Sequence, residues 1–322
     1  MIKTRLTEFF EIEHPIIGAP MAFAAGGRLA SAVTNAGGLG LIGGAYGDRG
    51  WVDTQFTAAG NAVVGFGFIT WNLSAALEAS PDLLDAVLDR QPAALFLSFG
   101  DPQPYAQTIA DAEVPLICQV QTLHDARHAV DCGAAVIVAQ GSEAGGHGEA
   151  RATMTLVPEV ADMLAKTAPD VLLCAAGGIA DGRGLAASLM LGADGVLVGS
   201  RLWASYEADV HPNMHEAARL ASGDDTIRSS VMDIARHLDW PDRYTARVLK
   251  NAFTDRWHND IEGLLKNAQA EAAKWRQAWS DGDMDIANTF VGEAAGLIKT
   301  VEPAGAIISR MVDEAERQLA RY

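Results

Sequence analysis

Eight short apolar runs, separated by stretches with helical periodicity, constrain the fold of this chain more than any other feature. The runs span residues 15–19, 39–42, 63–69, 94–97, 116–120, 135–139, 171–175 and 195–198. Each run is apolar on both faces, which is typical of strands in a parallel sheet that is covered by helices on both sides. Helical stretches between them include residues 28–35, 81–90, 122–132, 156–167 and 181–191. The alternation predicts a (β/α)8 TIM barrel, with a doubly wound open sheet as the alternative because alternation alone does not show closure.

The pattern changes after residue 205. Helices are predicted at residues 211–222, 231–238, 244–265 and 271–280, with no convincing strand among them. Four of the seven tryptophans lie in this part, which indicates a small core of its own. We therefore predict a barrel domain over residues 1–205, a smaller helical substrate or cap domain over residues 206–289, and a C-terminal helical segment over residues 290–322 that returns to the barrel.

The charge balance limits the partners of the chain. It carries 41 acidic residues against 24 lysines and arginines, a formal net charge of −17. Such a surface repels phosphate backbones and anionic membranes, so we expect neither a nucleic acid nor a membrane as partner. The first ten residues, MIKTRLTEFF, lack the apolar segment of a signal peptide, and the three cysteines have no CxxC spacing. These features predict a cytoplasmic protein in a reducing compartment.

In a TIM barrel, the residues that follow each strand form the working face. The early strands here end in apolar side chains and neutral amides without a cluster of metal ligands, so we expect a mouth that suits a flat heterocycle and no metal site. The last two strands run into glycine-rich turns at residues 176–182 and 199–201. Backbone N–H groups in such turns, and the N-terminus of the helix that follows, favour an anion such as phosphate. The same glycines would also serve simple tight turns.

The sixth run leads into the sequence AQGSEAGGHGE at residues 139–149, with four glycines and one histidine, His147. The glycines would let the backbone approach a ligand closely. At the barrel mouth, opposite the phosphate turns, an imidazole is suited to taking a proton from an acidic C–H. Glu143 and Glu149 flank it and could orient it, although flanking carboxylates are just as often solvated. On the residues alone, a functional His147 and a merely solvated one explain the sequence equally well.

Several motifs together resemble the nitronate monooxygenase family, once called 2-nitropropane dioxygenases. They are HPIIGAPM at residues 14–21, NAGGLGLIGG at 35–44, AQGSEAGGHGE at 139–149, the segment from AAGGIADGRG to VLVGSR at 175–201, and WPDRYTARVLKNAFTDRW at 240–257. The resemblance covers essentially the whole chain. It implies a TIM barrel with a helical second domain and non-covalently bound FMN.

The resemblance also implies site residues, carried over position by position. His147 matches the active-site histidine of the family, which acts as the base on a neutral nitroalkane. The two glutamines among the flavin contacts would hydrogen-bond the ring or the ribityl chain, and the late glycine turns would hold the phosphate. The implied cofactor contacts are Ala19, Pro20, Met21, Gln119, Gln140, Gly141, Ala144, Gly145, Gly146, Ala176, Gly177, Gly178, Gly199 and Ser200.

The family's reaction is the oxidation of alkyl nitronates, such as propionate 3-nitronate, with O2 to a carbonyl product and nitrite. The resemblance therefore implies a small nitronate or nitroalkane and O2 as partners, in a monomer or homodimer. A nitronate is already anionic, so with such a substrate His147 would orient it or stabilise charge rather than remove a proton.

Two positions depart from some relatives, which carry a lysine near Gln119 and a serine where Ala176 stands. The first change removes a cation that would favour anionic reduced flavin, and the second removes one phosphate donor. Flavin-dependent enoyl reductases share the EAGGH element and a continuation similar to TMTLV at residues 153–157. The alternative function is therefore an NAD(P)H-dependent FMN reductase acting on a quinone or an enoyl thioester. A third class is a phosphate-binding barrel without flavin, such as an isomerase or aldolase.

Overall fold

Eight parallel strands close into a barrel in the computed structural model. The structure describes residues 2–321. Met1 and Tyr322, the outer ends of the predicted segments 1–205 and 290–322, lie outside the described residues. The strands in chain order are β1 Ile16–Gly18, β2 Leu39–Gly43, β3 Gly65–Ile69, β4 Leu95–Ser98, β5 Leu116–Val120, β6 Val136–Gln140, β7 Gly146–Gly148, β8 Leu172–Ala176, β9 Gly195–Val198, β10 Thr226–Ser229 and β11 Thr245–Leu249. The barrel order is β1-β2-β3-β4-β5-β6-β8-β9, and β9 pairs with β1 to close it. The TIM-barrel prediction is confirmed, because closure excludes the open sheet.

Helices surround the barrel between successive strands. Short 3-10 turns lie at Gly223–Asp225 and Glu293–Leu297. The α-helices are α1 Arg5–Phe9, α2 Gly27–Asn35, α3 Arg49–Ala59, α4 Thr70–Ala79, α5 Leu83–Leu88, α6 Gln103–Asp111, α7 Leu123–Asp131, α8 Thr153–Thr167, α9 Gly182–Met190, α10 Ser200–Trp203, α11 Pro212–Leu220, α12 Val231–Arg236, α13 Ala252–Trp257, α14 Ile261–Lys266, α15 Ala268–Asp281 and α16 Ala304–Leu319.

The strands are apolar on both faces because two hydrophobic cores meet at the barrel wall. Successive side chains of a strand point to opposite faces. In β1, Ile17 packs inside the barrel and Ile16 packs outward against the helices. In β2, Leu41 lies inside and Ile42 outside. The continuous apolar runs in the sequence therefore reflect burial on both sides of the wall.

A second, three-stranded antiparallel sheet joins β10, β11 and β7 in that order. The prediction of helix over residues 244–265 and of no strand after residue 205 is wrong at β10 and β11. In β11, Ala246 and Val248 alternate as a strand requires and pack onto Phe253 and Trp257. Arg247 between them is also buried, which hides the alternation in the sequence. Helices α13 and α14 fill the rest of the predicted helical stretch.

Helix α16 packs against α9 and α2 on the outside of the barrel. The contact with α9 is close, since a Cβ on Gly182 would lie 2.4 Å from the backbone of Met311 and Ala315. Strand β7, which lies inside the predicted barrel segment, pairs with β11 from the region after residue 205. The division of the chain at residue 205 stays a prediction. Across residues 2–321, no helix has both the length and the apolar character that a membrane span requires.

Replacing Gly40 by alanine is expected to destabilise the barrel. A Cβ there would lie 1.8 Å from the carbonyl oxygen of Ala30 in α2, and this backbone contact cannot relax cheaply. Overpacking of this kind costs about 1–3 kcal/mol. The matched control is Gly305→Ala in α16, where the new Cβ would meet only the Ala36 side chain at 3.6 Å. Thermal unfolding of both variants decides the point, and equal midpoints would contradict the packing argument.

Candidate active site

A cavity of about 410 Å³ opens at the carboxyl ends of the barrel strands. The predicted site residues, other than Gly141, all line it. These lining residues are Ala19, Pro20, Met21, Gln119, Gln140, Ala144, Gly145, Gly146, His147, Ala176, Gly177, Gly178, Gly199 and Ser200. The region after residue 205 contributes further walls, which include Arg236, Trp240, Trp275 and Phe290. The cavity therefore lies between the barrel mouth and the second sheet with its helices.

Gly141 lies beside the cavity rather than on its surface. Its N–H donates to the carbonyl oxygen of Ala176 at 2.9 Å, which ties the end of β6 to the end of β8. A Cβ at this position would lie 2.0 Å from the Thr153 hydroxyl oxygen. Gly141 is therefore needed for close packing at the start of the loop.

His147 lies in β7 and is held by pairing with Ala246 of β11. Its Nε2 is 2.9 Å from Oδ2 of Asp233 in α12. Both side chains are buried, with 8% and 4% of their surface exposed. A carboxylate can only accept, so Nε2 carries the proton and Nδ1 has the free lone pair. The imidazole is thus an oriented base whose tautomer is fixed by Asp233.

The ring of His147 stacks on the indole of Trp240, with centroids 3.4 Å apart and planes 3° apart. The phenyl ring of Phe99 approaches it edge-on at 6.2 Å. Burial lowers the pKa of His147 below its ordinary value of 6.5, although the hydrogen bond and the charge of Asp233 oppose this. The imidazole is therefore neutral, and able to accept a proton, at neutral pH.

The flanking glutamates do not orient His147. Glu143 accepts hydrogen bonds from the backbone N–H and the hydroxyl of Thr153 at 3.0 and 2.9 Å. Glu149 instead pairs with Arg243. Sequence reasoning missed Asp233, which is 86 residues away along the chain. The one available signal was an acidic residue on the otherwise apolar, buried face of α12.

Three amide side chains form a hydrogen-bonded cluster at the ends of β5 and β6, and two of them, Gln119 and Gln140, line the cavity. Nε2 of Gln119 and Nε2 of Gln121 both donate to Oε1 of Gln140, at 3.1 and 2.8 Å. The carbonyl end of Gln140 is thereby occupied, and its NH2 group is the end that remains for a ligand in the cavity that this residue lines. Gln121 was not predicted as a site residue, and it acts by fixing the orientation of Gln140.

The glycine turn after β8 has the backbone that an anion site uses. Gly177 and Gly178 have φ angles of 102° and 74°, in the left-handed region that favours glycine. They lie beside the turn that follows β9, the strand paired with β8. Successive N–H groups in such turns form concave anion sites. The turns therefore fit the phosphate group of a cofactor.

The expectation that the helix after β8 adds its N-terminus to this site is wrong. The carboxylate of Asp181 accepts from the N–H groups of Arg183 and Gly184 at 3.0 and 3.2 Å. Glu314 of α16 accepts from Gly182 N–H at 2.9 Å. Two carboxylates thus occupy the start of α9, and their charge opposes an anion there.

A late segment of the chain holds the glycine loop from the outside. The N–H of Glu293 donates to the carbonyl of Glu143, and the N–H of Gly292 donates to the Ser200 hydroxyl, both at 2.9 Å. A Cβ on Gly145 would lie only 2.6 Å from the backbone nitrogen of Gly292. Gly145 is therefore required by the close approach of two backbones.

Two arginines of the second sheet, the half-buried Arg228 and the buried Arg247, bind carbonyl groups of the same loop. Arg228 donates to the carbonyls of Ser142 and Gly148, and Arg247 donates to that of Ser142 at 3.0 Å. Burial lowers the pKa of Arg228 to about 10. Sequence reasoning missed both, because Arg247 falls within a predicted helix, where an arginine is expected at the surface, and Arg228 falls between two predicted helices.

The charged groups on the cavity wall are few. Of the described lining residues, Asp209 and Arg236 carry charge, and His147 is titratable. Much of the remaining wall is aromatic, as expected for a site that receives a flat heterocycle. Within residues 2–321, one group of side chains has the spacing to hold a metal ion, namely Asp101, His128 and Cys132, and none of the three lines the cavity.

A family model and two curated relatives carry the same family description. A family model described as nitronate monooxygenase matches residues 3–64 and 69–314. The nitronate monooxygenase of Neurospora crassa is 32% identical over 360 residues, covering 99% of this chain and 94% of its own. Nitronate monooxygenase npaC of Metarhizium robertsii is 34% identical over 334 residues, covering 93% and 90%. The solved structure of FabK from Thermotoga maritima has a TM-score of 0.87 at 30% identity and covers 100% of this chain and 98% of that one.

The protonation of His147 can be tested directly. In histidine-labelled protein, NMR is expected to show His147 still neutral at pH 6.5, because burial lowers its pKa. Asp233→Asn should lower this pKa further, since the carboxylate's hydrogen bond and charge favour the protonated ring. The control is Asp101→Asn, which removes the partner of His128 at 2.7 Å and should leave His147 unchanged. A His147 that titrates above 6.5 would refute the argument.

Proposed function

The chain belongs to the nitronate monooxygenase family, and we propose that it oxidises alkyl nitronates such as propionate 3-nitronate with O2, giving a carbonyl product and nitrite. This is a family of oxidoreductases, and it implies a small-molecule substrate together with O2. The observation that carries the proposal is the His147–Asp233 pair at the wall of a largely aromatic cavity in the barrel mouth.

With a neutral nitroalkane as substrate, His147 takes the proton from the carbon that bears the nitro group. Nδ1 accepts this proton, because Nε2 is engaged with Asp233. The buried carboxylate of Asp233 then stabilises the imidazolium that forms. A substrate that arrives as the nitronate anion needs no deprotonation, and the imidazole then orients it within the cavity.

The family implies a flavin cofactor, and we propose FMN. When bound, it supplies the redox chemistry, by accepting electrons from the nitronate and returning them to O2. The NH2 group of Gln140 and the wall at Ala19–Met21 suit a flat ring with polar edges. The turns at Gly177–Gly178 and Gly199–Ser200 suit its phosphate. These groups are all supplied by the barrel, while His147 faces the same cavity from β7.

Anaerobic reduction of the bound flavin tests the function. The purified protein is expected to be yellow and to bleach when propionate 3-nitronate is added without O2. NADH or NADPH is added to a second sample. Bleaching by the nicotinamide alone would overturn the proposal in favour of an FMN reductase acting on a quinone or an enoyl thioester. A colourless protein that cannot take up FMN would favour a barrel enzyme without flavin.

His147→Ala tests the base. Its activity on a neutral nitroalkane is expected to fall by about 10² or more, which is the usual contribution of a general base. Activity on the pre-formed nitronate should fall much less, and flavin content should be retained. His128→Ala, which alters a half-exposed histidine outside the cavity, is the control. Equal losses on the two substrates would show that His147 does not act as the base.

A further inference from the structure

Among the described residues that line the cavity, Arg236 is the one with a positive charge, and three aromatic rings surround its guanidinium group. Its guanidinium carbon lies 5.7, 5.6 and 5.7 Å from the ring centroids of Tyr46, Trp275 and Phe290. Its side chain is only 17% exposed. Rings over a guanidinium attract its charge and cover its faces, but its N–H donors lie in its plane and stay available.

The charge of Arg236 is poorly neutralised by the protein. The nearest carboxylate oxygen is Oδ1 of Asp233 at 3.9 Å, which is too far for a hydrogen bond. The other oxygen of Asp233 already accepts from His147. Asp209, the other charged lining residue, is 3.9 Å from Arg28. In the part of the chain that the structure describes, no carboxylate or carbonyl oxygen makes a hydrogen bond with the guanidinium of Arg236.

A largely buried cation without a hydrogen-bonded anion is costly unless a ligand supplies one. The buried arginines elsewhere in the described chain have such internal acceptors. Arg201, with a side chain 3% exposed, pairs with Glu302, and Arg247 donates to the carbonyl of Ser142. Arg236 differs from both because it faces the cavity with the Tyr46 hydroxyl as its hydrogen-bonding neighbour, in place of a carboxylate or a carbonyl. A carboxylate, which accepts two parallel N–H bonds from a guanidinium, matches that edge.

We propose that Arg236 binds the carboxylate of the substrate, and that it is the residue by which this cavity prefers nitronates with a carboxylate a few bonds from the reacting carbon over nitronates without one. This inference rests on the proposed function. One carboxylate, that of Asp233, lies 2.9 Å from the imidazole of His147 and 3.9 Å from the guanidinium of Arg236. Arg236 is therefore separated from the imidazole ring by a single carboxylate, on the Nε2 side, which favours a substrate with few bonds between its carboxylate and the carbon that Nδ1 deprotonates.

The overall charge of the chain makes such a residue necessary for an anionic substrate. A formal net charge of −17 repels anions from the surface. A cation in a desolvated pocket counters this repulsion locally, where a charge pair is strongest. Arg236 is that cation.

The test is the preference between two nitronates of equal length, propionate 3-nitronate and propyl-1-nitronate, which differ by a carboxylate in place of a methyl group. In Arg236→Met, the ratio of their kcat/KM values is expected to fall about 10- to 100-fold, as for loss of a charged hydrogen bond. The loss should lie mainly in KM for propionate 3-nitronate. Arg236→Lys, which retains the charge, should keep part of the preference.

The matched control is Arg256→Met, because Arg256 also lies over a tryptophan ring, at 4.3 Å, but is exposed and outside the cavity. It should leave the ratio unchanged. Equal losses on both nitronates in Arg236→Met would indicate a positioning effect through Asp233 and would overturn the proposal. Loss of FMN from that variant would assign the guanidinium to the cofactor and would overturn it as well.

Binding of an unreactive acid separates this inference from the proposed function. Butyrate has the carboxylate and chain length of propionate 3-nitronate without its nitronate group, and butyramide replaces that carboxylate with a neutral amide. By calorimetry, the flavin-loaded wild type is expected to bind butyrate at least about tenfold more tightly than butyramide, and Arg236→Met should lose this difference. Equal affinities in the wild type would refute the anion site even if nitronates are oxidised. The expected difference without nitronate turnover would refute the proposed function alone.

Discussion

Backbone pairing between β7 and β11 is the constraint on which the site depends. Without it, the glycine-rich loop after β6 would have no fixed conformation, because glycine restricts the backbone so little. The pairing of His147 with Ala246 sets the position of the imidazole. The chain just before β11 supplies α12, with Asp233 and Arg236, and then Trp240. One small sheet and one helix thus assemble the proposed base, its partner and the caged cation, while the barrel provides the opposite wall.

The barrel could be predicted from the sequence because each of its strands is buried on both faces. Residues such as Ile16 and Ile17 serve different cores, so each strand appears as an unbroken apolar run between helices. The second sheet offers no such signal. Its strands have three to five residues, and the buried Arg247 interrupts the apolar alternation of β11. A run this short fits a helix as well as a strand until its pairing partner is known.

The residues of the site could be predicted only where they belong to a continuous sequence motif. His147 and the predicted site glycines stand in such motifs, and all of them except Gly141 line one cavity. Asp233 does not, because it lies 86 residues after His147, beyond the last two barrel strands, and only the fold brings the two together. Gln121 and Arg236 are likewise ordinary polar residues in sequence, and they acquire significance from the side chains around them. At the start of α9 a continuous motif misled the prediction. The glycine motif predicted that the helix N-terminus would contact an anion, but the carboxylates of Asp181 and Glu314 already accept hydrogen bonds from its N–H groups.

The contact of Gly292 with Gly145 can form only late in the synthesis of the chain. The loop from Gly141 to Gly148 leaves the ribosome about a hundred residues before β11 and still longer before the segment at Glu293 that packs over it. A nascent chain that has completed all eight barrel strands therefore still lacks the supports of that loop. The cavity becomes whole only after synthesis of the segment at Gly292 and Glu293, so capture of a cofactor by a rigid pocket belongs to the last stage of folding.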